Sequence, residues 1–474
     1  MATRERLEAQ IFEAPDDVAA YLVYGDWLQS IGDPRGRLIA AQLARVGAPP
    51  GELSEAETTL IAALGDPVVD IEPAPRVEWF AGFWRVLYAG SFGWSPKAAT
   101  DAHIATLLGS SSARFVREIR IDGAVTPSVL ESVAMAHRTL ERLDVSLRGA
   151  KLDDRALANL RTCTRLEHLH LFSCESITSR GLVALRELKA LESIDLRNHP
   201  LDDKGVDSLV GLPRLSRVFF NAVSRDLTHH GMTGLAFLPL ISLELDGDTL
   251  DDERIVPLAN HGSLANLEIG GAPITERGAA AIATLPLRRL YLPSSTIGDA
   301  GVALLGGLAK TLRSLHLGHS ATVSDRACEA IGRLTRLAFL DLSSTQVTGA
   351  GLRHIAALRD LERLDLAFLK LADRDITALL GLSRLTELNL AYSQVTDAAI
   401  DLLVDALPEL ERIDLTASAI TRHSIERLAE LPKLYSLGLE DCAPEAIELA
   451  REHSRWSVNT RDLLELSDSL EHYE

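Results

Sequence analysis

His168 and His170, two residues apart, are side chains whose type and spacing could hold a metal. Residues i and i+2 of a strand project from one face. Asp144 and Asp195 stand at the position of His170 in the neighbouring copies of a recurring LxxLxL segment, so a His-carboxylate cluster is conceivable. A structural zinc takes four ligands from His, Cys and carboxylate. The spacing supplies no third nitrogen or thiolate, so ordinary His-carboxylate pairing is expected and no metal is assigned. His229-His230, and His316 with His319, fall at turns or strand ends.

The other reactive types point away from catalysis. Cys163, Cys174, Cys328 and Cys442 form no CxxC pair, so neither a zinc knuckle nor a disulfide framework is implied, and reduced, structural thiols are expected. GxSxG, GxxxxGK[ST], HExxH and a strand-to-helix GxGxxG are all absent. Acidic residues are too abundant for paired carboxylates to mean anything. The expectation is a chain that is not an enzyme and has no cofactor.

The net charge of -19 opposes a nucleic-acid backbone or an anionic membrane surface, both of which need clustered Lys and Arg. The start, MATRERLEAQ, lacks the apolar stretch of a secretory signal. No run approaches the roughly 18 apolar residues of a spanning helix. A cytoplasmic protein is expected.

The elements that must carry these residues repeat. LxxLxL begins at Leu140, Leu166, Leu191, Leu215, Leu240, Leu264, Leu287, Leu312, Leu337, Leu361, Leu385, Leu410 and Leu434, with a divergent copy at Val116. Successive starts lie from 23 residues apart (Leu264 to Leu287) to 26 (Leu140 to Leu166). Leu340 and Leu342 face one way and Asp341 the other, which predicts one short strand per coil. Shortly after, a second motif recurs as ITSRGL (Ile177), LDDKGV (Leu201), LTHHGM (Leu227), ITERGA (Ile274), IGDAGV (Ile297), VTGAGL (Val347) and VTDAAI (Val395). Its Thr, Ser or Asp predicts a helix N-cap, and residues such as Leu352, Ile355 and Leu358 give the helix one apolar face. No coil can bury its apolar edge alone, so stability is shared between neighbours.

The pattern resembles the ribonuclease-inhibitor-like class of leucine-rich repeats, with its "ITDxGL" helix start. That resemblance implies an α/β fold: a leucine-rich-repeat solenoid (horseshoe) with a parallel concave β-sheet and convex helices, preceded by a small all-α N-terminal module. The family often places Asn or Cys three residues beyond the last strand leucine. Here Cys174, Ser295, Ser320, Thr345, Ser393, Ser418 and Cys442 stand there, so small polar residues replace the asparagine ladder.

Residues 15–42 do not fit the repeat. Asp16 is expected to cap a helix whose apolar residues are Val18, Leu22, Trp27 and Leu28, with Gly32 ending it and Asp33-Pro34 opening another through Leu38 and Leu43. Tyr24, Gly25, Asp26, Trp27, Leu28, Gly32, Asp33, Pro34, Arg35, Gly36 and Ile39 resemble the "YADWLxxxGDPRGExI" motif of a short repeat-companion domain of myxobacterial and planctomycete proteins, with Gly25 and Arg37 replacing Ala and Glu. The resemblance implies architecture and a bacterial lineage, not an activity. Breaker runs at 48–51 and 73–75 bracket a segment without a structural assignment, and in the aromatic run from Val77, Trp84, Val86 and Tyr88 are expected to cover the first coil. The expected division is 1–48 repeat-companion domain, 49–114 linker and N-terminal cap, 115–442 leucine-rich repeats, and 443–474 C-terminal cap, holding Trp456, and acidic tail.

Function is expected on the concave face, in residues between the core leucines. One column reads Asp144, His170, Asp195, Phe219, Glu244, Glu268, Tyr291, His316, Asp341, Asp365, Asn389 and Asp414; the column two residues earlier supplies Arg142, His168, Arg217, Arg289, Phe339, Arg363 and Arg412. Aromatic and Arg side chains dominate interface hot spots. Phe172, Phe219, Tyr291, Phe339, Phe368 and Tyr392 are therefore candidates, while Phe220 falls at a core position. The selected partner-binding set is His168, His170, Phe172, Phe219, Tyr291, His316, Phe339, Asp341, Arg363 and Asp365. The expected function is a protein-protein interaction scaffold acting as an adaptor or in target recognition, in signalling or defence. The alternative is an inhibitor or regulatory subunit that wraps an enzyme. The acidic surface favours a basic partner.

Overall fold

The structure, a computed structural model, describes residues 2–45, 53–65, 75–90, 100–123, 126–135, 138–147, 152–172, 175–196, 199–220, 222–223, 225–246 and 250–459. The breaker run at 48–51, Pro73, Cys174 and the acidic tail lie outside these residues. The chain divides into two compact units, Met1–Leu240 and Ile241–Glu474.

The first unit opens with helices α1 (Ala2–Glu13), α2 (Val18–Ser30), α3 (Arg35–Leu43) and α4 (Glu55–Leu64). Strands β1 (Arg76–Phe80) and β2 (Phe83–Gly90) form an antiparallel pair. Parallel pairing then runs from β2 through β3 (Glu118–Gly123), β4 (Arg142–Leu147), β5 (His168–Leu171) and β6 (Ser193–Leu196). Two-residue strands β7 (Pro200–Leu201) and β9 (Ala222–Val223) pair beside it, and β8 (Arg217–Phe220) pairs with β6.

The N-terminal helices are present as expected, but α2 is turned differently. Val18 and Leu22 are 43% and 44% exposed, whereas Tyr21, Tyr24 and Leu28 are buried with Ile39, Phe83 and Phe115. The two tyrosines bring more apolar area than the aliphatic stripe, and area decides which face goes inward. The cap is Asp17, which accepts the Ala19 N–H at 2.9 Å; Asp16 instead pairs with Arg117. Gly25 and Gly36 let α2 and α3 cross closely, since a Cβ on Gly36 would overlap the Gly25 carbonyl. Helix α1, which the periodicity left unassigned, supplies buried Glu8. Burial works against its charge, yet bonds from Arg4 (2.9 Å), the Tyr24 hydroxyl (2.8 Å) and Arg114 outweigh it and hold the carboxyl below its ordinary value. Trp84 and Val86 are buried and Tyr88 is half-buried beneath the Arg120 guanidinium.

The second unit is a run of parallel strands, each after the first paired with the one before it: β10 (Ser242–Asp246), β11 (Asn266–Gly270), β12 (Arg289–Tyr291), β13 (Ser314–His316), β14 (Phe339–Asp341), β15 (Arg363–Asp365), β16 (Glu387–Asn389), β17 (Arg412–Asp414), β18 (Ser436–Gly438) and β19 (Ser457–Asn459). Leu290, Leu315, Leu340, Leu364, Leu388 and Ile413 lie in register and are buried, one row of a leucine core. Truncating one such leucine costs about 2–5 kcal/mol. Trp456, buried before β19, stacks on His453 at 4.3 Å.

Each coil returns through a helix or turn, and the recurring motif shows how neighbouring coils are fastened. Thr348 accepts the Ala350 N–H at 3.2 Å as N-cap, while its own N–H and hydroxyl each donate to an Asp325 carboxylate oxygen of the preceding coil, at 2.7 Å. The Gly351 N–H adds a third bond to Asp325 (3.0 Å), and a Cβ at Gly351 would crowd that carboxylate. The same clamp joins Asp154 to Thr178, Asp203 to Thr228, Asp252 to Thr275, Asp299 to Ser324, Asp373 to Thr396 and Asp397 to Thr421. Where the third motif residue is not Asp, the second motif residue of the next coil is neither Thr nor Ser: Ser179 precedes Asp202, His229 precedes Asp251, Glu276 precedes Gly298 and Gly349 precedes Ala372. The Ser179 hydroxyl inverts the clamp, donating to Asp202 at 2.6 Å.

Candidate interaction face

The face opposite the leucine core carries two columns in each unit. In the second unit Arg289, Ser314, Phe339, Arg363, Glu387 and Arg412 stand in register, and beside them Tyr291, His316, Asp341, Asp365, Asn389 and Asp414. Four of the expected residues meet as one strip across β12 to β15. The Tyr291 and His316 rings lie 4.7 Å apart, His316 stacks on Phe339 at 4.1 Å and 19°, and the Arg363 guanidinium covers Phe339 at 5.1 Å. All four are half-buried, because each is covered on its flanks by the next. Burial, followed by the Arg363 and Arg289 charges, lowers the His316 pKa to about 3. The ring is therefore neutral at pH 7 and stacks as an aromatic, held by Ser314, whose Oγ is 3.0 Å from Nε2.

The acidic column has a different office. Asp341, Asp365, Asn389 and Asp414 each accept, through Oδ1, the N–H two residues onward: Ser343 (2.8 Å), Ala367 (2.9 Å), Ala391 (3.0 Å) and Thr416 (2.9 Å). These are Asx turns that end each strand. Asp365 also accepts from the Asn389 amide at 3.0 Å. Burial, then the Asp341 charge, push its carboxyl up. Asp341 and Asp365 thus adjoin the strip as residues that shape the backbone beneath it.

At the equivalent position of seven coils, one residue past the Asx turn in the four that have one, the chain takes positive φ: Ser294, His319, Ser344, Phe368, Tyr392, Ala417 and Asp441. The N–H groups of the first six donate to the next coil's carbonyl at 2.7–2.9 Å, which propagates the turn. For a bulky side chain this conformation costs about 1–2 kcal/mol. Phe368 and Tyr392 nevertheless occupy it, stacked at 4.3 Å and 10° and exposed by 44% and 39%. Both are candidates by type; the positive φ itself belongs to the turn of the repeat, which the other five coils share. The next position buries Ser295, Ser320, Thr345, Ser393, Ser418 and Cys442, with Leu369 interrupting the polar series.

In the first unit His170 Nδ1 lies 3.1 Å from Asp144 Oδ1, and Arg120 reaches the same carboxylate at 3.4 Å. His168, in register with Arg142 and Ser193, is lowered to about 4 by burial, with Arg142 and His170 adding to it. Phe172 follows β5, half-buried, and Phe219 stands in register with Asp195. No group of His, Cys, Asp and Glu suited to a metal occurs among the described residues. Phe220 is buried against His199. Cys163, Cys328 and Cys442 are buried, and burial raises all three thiols, Cys163 to about 11 and Cys328 to about 12, so they stay protonated and unreactive. No described helix is long and apolar enough to cross a membrane.

A family model of the leucine-rich repeat matches residues 162–185, which span strand β5 and the Thr178 cap. No curated protein matches the chain in sequence. Solved structures with a similar fold include an internalin from Listeria monocytogenes, 21% identical with a TM-score of 0.43, covering 74% of this chain and 86% of that one. Another is the complex of Rad7 and Elc1 from yeast, 15% identical with a TM-score of 0.48, covering 92% and 94%. The chain carries leucine-rich repeats in a mixed α/β solenoid fold.

Proposed function

We propose that this protein is a non-enzymatic scaffold that binds a protein partner across the open face of its strand ladder, anchored at Tyr291, His316, Phe339 and Arg363. The observation that carries this proposal is the unbroken stack of those four side chains over adjacent strands. Aromatic and Arg anchors that are already ordered lose little conformational entropy on binding, which is what makes such clusters hot spots. The net charge of -19 supports a basic partner through long-range attraction rather than through the Asp column, whose oxygens already hold turns. The buried thiols fit a cytoplasmic setting. The N-terminal helices fit the repeat-companion type through their Gly25–Gly36 crossing and buried Tyr24, Leu28 and Ile39.

Affinity capture from native lysate with the intact chain and with a Tyr291→Ala/Phe339→Ala variant tests the proposal. A protein held by the first and released by the second is expected, with both chains giving the same circular dichroism. Equal retention by both would move the binding surface elsewhere.

A further inference from the structure

Between the helices Gly349–Ile355 and Asp373–Ile376, on the side of the second unit that carries the clamps, the fastening of coil to coil is interrupted. The third motif residue is Gly349 instead of Asp, and the N-cap facing it is Ala372 instead of Thr. At that break a cleft of about 380 Å³ opens, lined by Gly349, Arg353, Arg359, Arg374, Asp375 and Gly381 among others. Its volume falls at the lower end of small-ligand sites.

The charge of the cleft runs against that of the chain. Three arginines and one aspartate line it, in a protein with 67 acidic and 48 basic residues. That carboxylate is engaged, because Asp375 Oδ2 accepts the Ala372 N–H at 3.0 Å to cap its own helix. Two arginines of other coils meet carboxylates instead: Arg427 meets Asp401, Asp405 and Glu430, and Arg333 meets Glu329. Arg353 forms no ion pair among the described residues. Arg374 lies 3.7 Å from Asp375, and Arg359 donates to the Gly381 carbonyl. A Cβ at Gly349 would overlap the Asp375 carboxylate and one at Gly381 the Arg359 guanidinium, so both glycines keep room for the side chains that shape the cleft.

We infer that this cleft binds a phosphoryl group, carried by a free phosphorylated metabolite or by a phosphorylated side chain. A planar carboxylate is matched by one guanidinium fork. Three forks arriving from two helices and the turn between them suit a tetrahedral dianion whose oxygens point in several directions. The inference is independent of the partner-binding face, and either stands if the other fails.

The test is titration calorimetry of the full chain at low salt with inorganic phosphate, and with a phosphoserine hexapeptide beside its unphosphorylated twin. The intact chain and an Arg333→Gln control should bind alike, and an Arg353→Gln/Arg374→Gln variant about tenfold or more weaker, as expected for losing two charge-assisted contacts. All three should melt alike, since the altered side chains are exposed. Tighter binding of the phosphopeptide than of phosphate would identify a modified protein as the source; the reverse order would identify a free metabolite. Binding undiminished in the double variant, or no binding of either probe by the intact chain at millimolar concentration, overturns the inference.

Discussion

The guanidinium carbon of Arg363 lies 5.1 Å from the centroid of the Phe339 ring, one strand away and in register with it. At a half-exposed site such a contact contributes about 0.5–1 kcal/mol to folding. Arg363→Ala should therefore lower stability by no more than about 1 kcal/mol in urea melts, while weakening partner retention about tenfold or more. Arg363→Lys should fall between, because the ammonium keeps the charge and loses the planar stacking. Retention unchanged in Arg363→Ala would remove this residue from the interface.

Asp325 receives three bonds from the next coil, two from Thr348 and one from Gly351. Asp325→Ala should cost about 1–3 kcal/mol, since it removes the acceptor of three donors, of which the Gly351 N–H is partly buried and the Thr348 pair can turn to water. Thr348→Val, which loses the hydroxyl but not the backbone bond, should cost about 1 kcal/mol. Hydrogen exchange should quicken first at the Thr348 and Gly351 amides. Uniform quickening across the unit would mean that the clamp is not local.

His316 titrates near 3 in the folded chain and near its ordinary 6.5 when unfolded. The unfolded chain therefore takes up the proton first as pH falls. Stability from this site is complete above about pH 6.5 and is lost progressively toward pH 3. Between pH 6.5 and 5 the loss is up to about 2 kcal/mol, at 1.36 kcal/mol per unit. His168 and His199, each lowered to about 4 chiefly by burial, act with the same sign. In His316→Gln the difference between urea midpoints at pH 7 and pH 5 should shrink without vanishing; an unchanged difference would place the proton elsewhere.

Ala417 has a φ of 57° and carries only a methyl group. Ala417→Gly should raise stability by roughly 0.5–1 kcal/mol, relief of strain exceeding the added freedom of the unfolded chain. Phe368→Gly relieves the same strain but removes a ring stacked on Tyr392, so it should be neutral or destabilising. If both variants gained equally in thermal melts, the aromatic stack would add nothing to the fold.

The solenoid could be read from the chain because burial demands an aliphatic side chain at each core position, and thirteen copies of that demand stand at a near-constant spacing. The strip of Tyr291, His316, Phe339 and Arg363 was partly foreseen, since alternation along a strand gives the face; which neighbours stack depends on register and rotamer. The Asx role of Asp341 and Asp365 was hidden because an aspartate facing solvent and one bonded to its own backbone look alike in a sequence. The positive-φ turns share a conformation and no residue type, from Ser294 to Tyr392 to Asp441, so no pattern of letters marks them. On α2, spacing defined a helix but not which stripe turned inward, and Tyr21 and Tyr24 prevailed over Val18 and Leu22.

The aspartate of one coil and the threonine of the next make a lock and key split across a repeat boundary. A coil copied or deleted from strand to strand would carry its own halves intact and still meet strangers at its seams, unless its donor and acceptor happened to match those already there. Cutting the chain between each Asp and the following Thr therefore separates what must travel together. The heritable module of this protein is offset from its visible one, and a graft that exchanges segments running from the third motif residue of one coil to the second motif residue of the next, Asp325 to Thr348 for example, should be tolerated better than one cut from strand to strand.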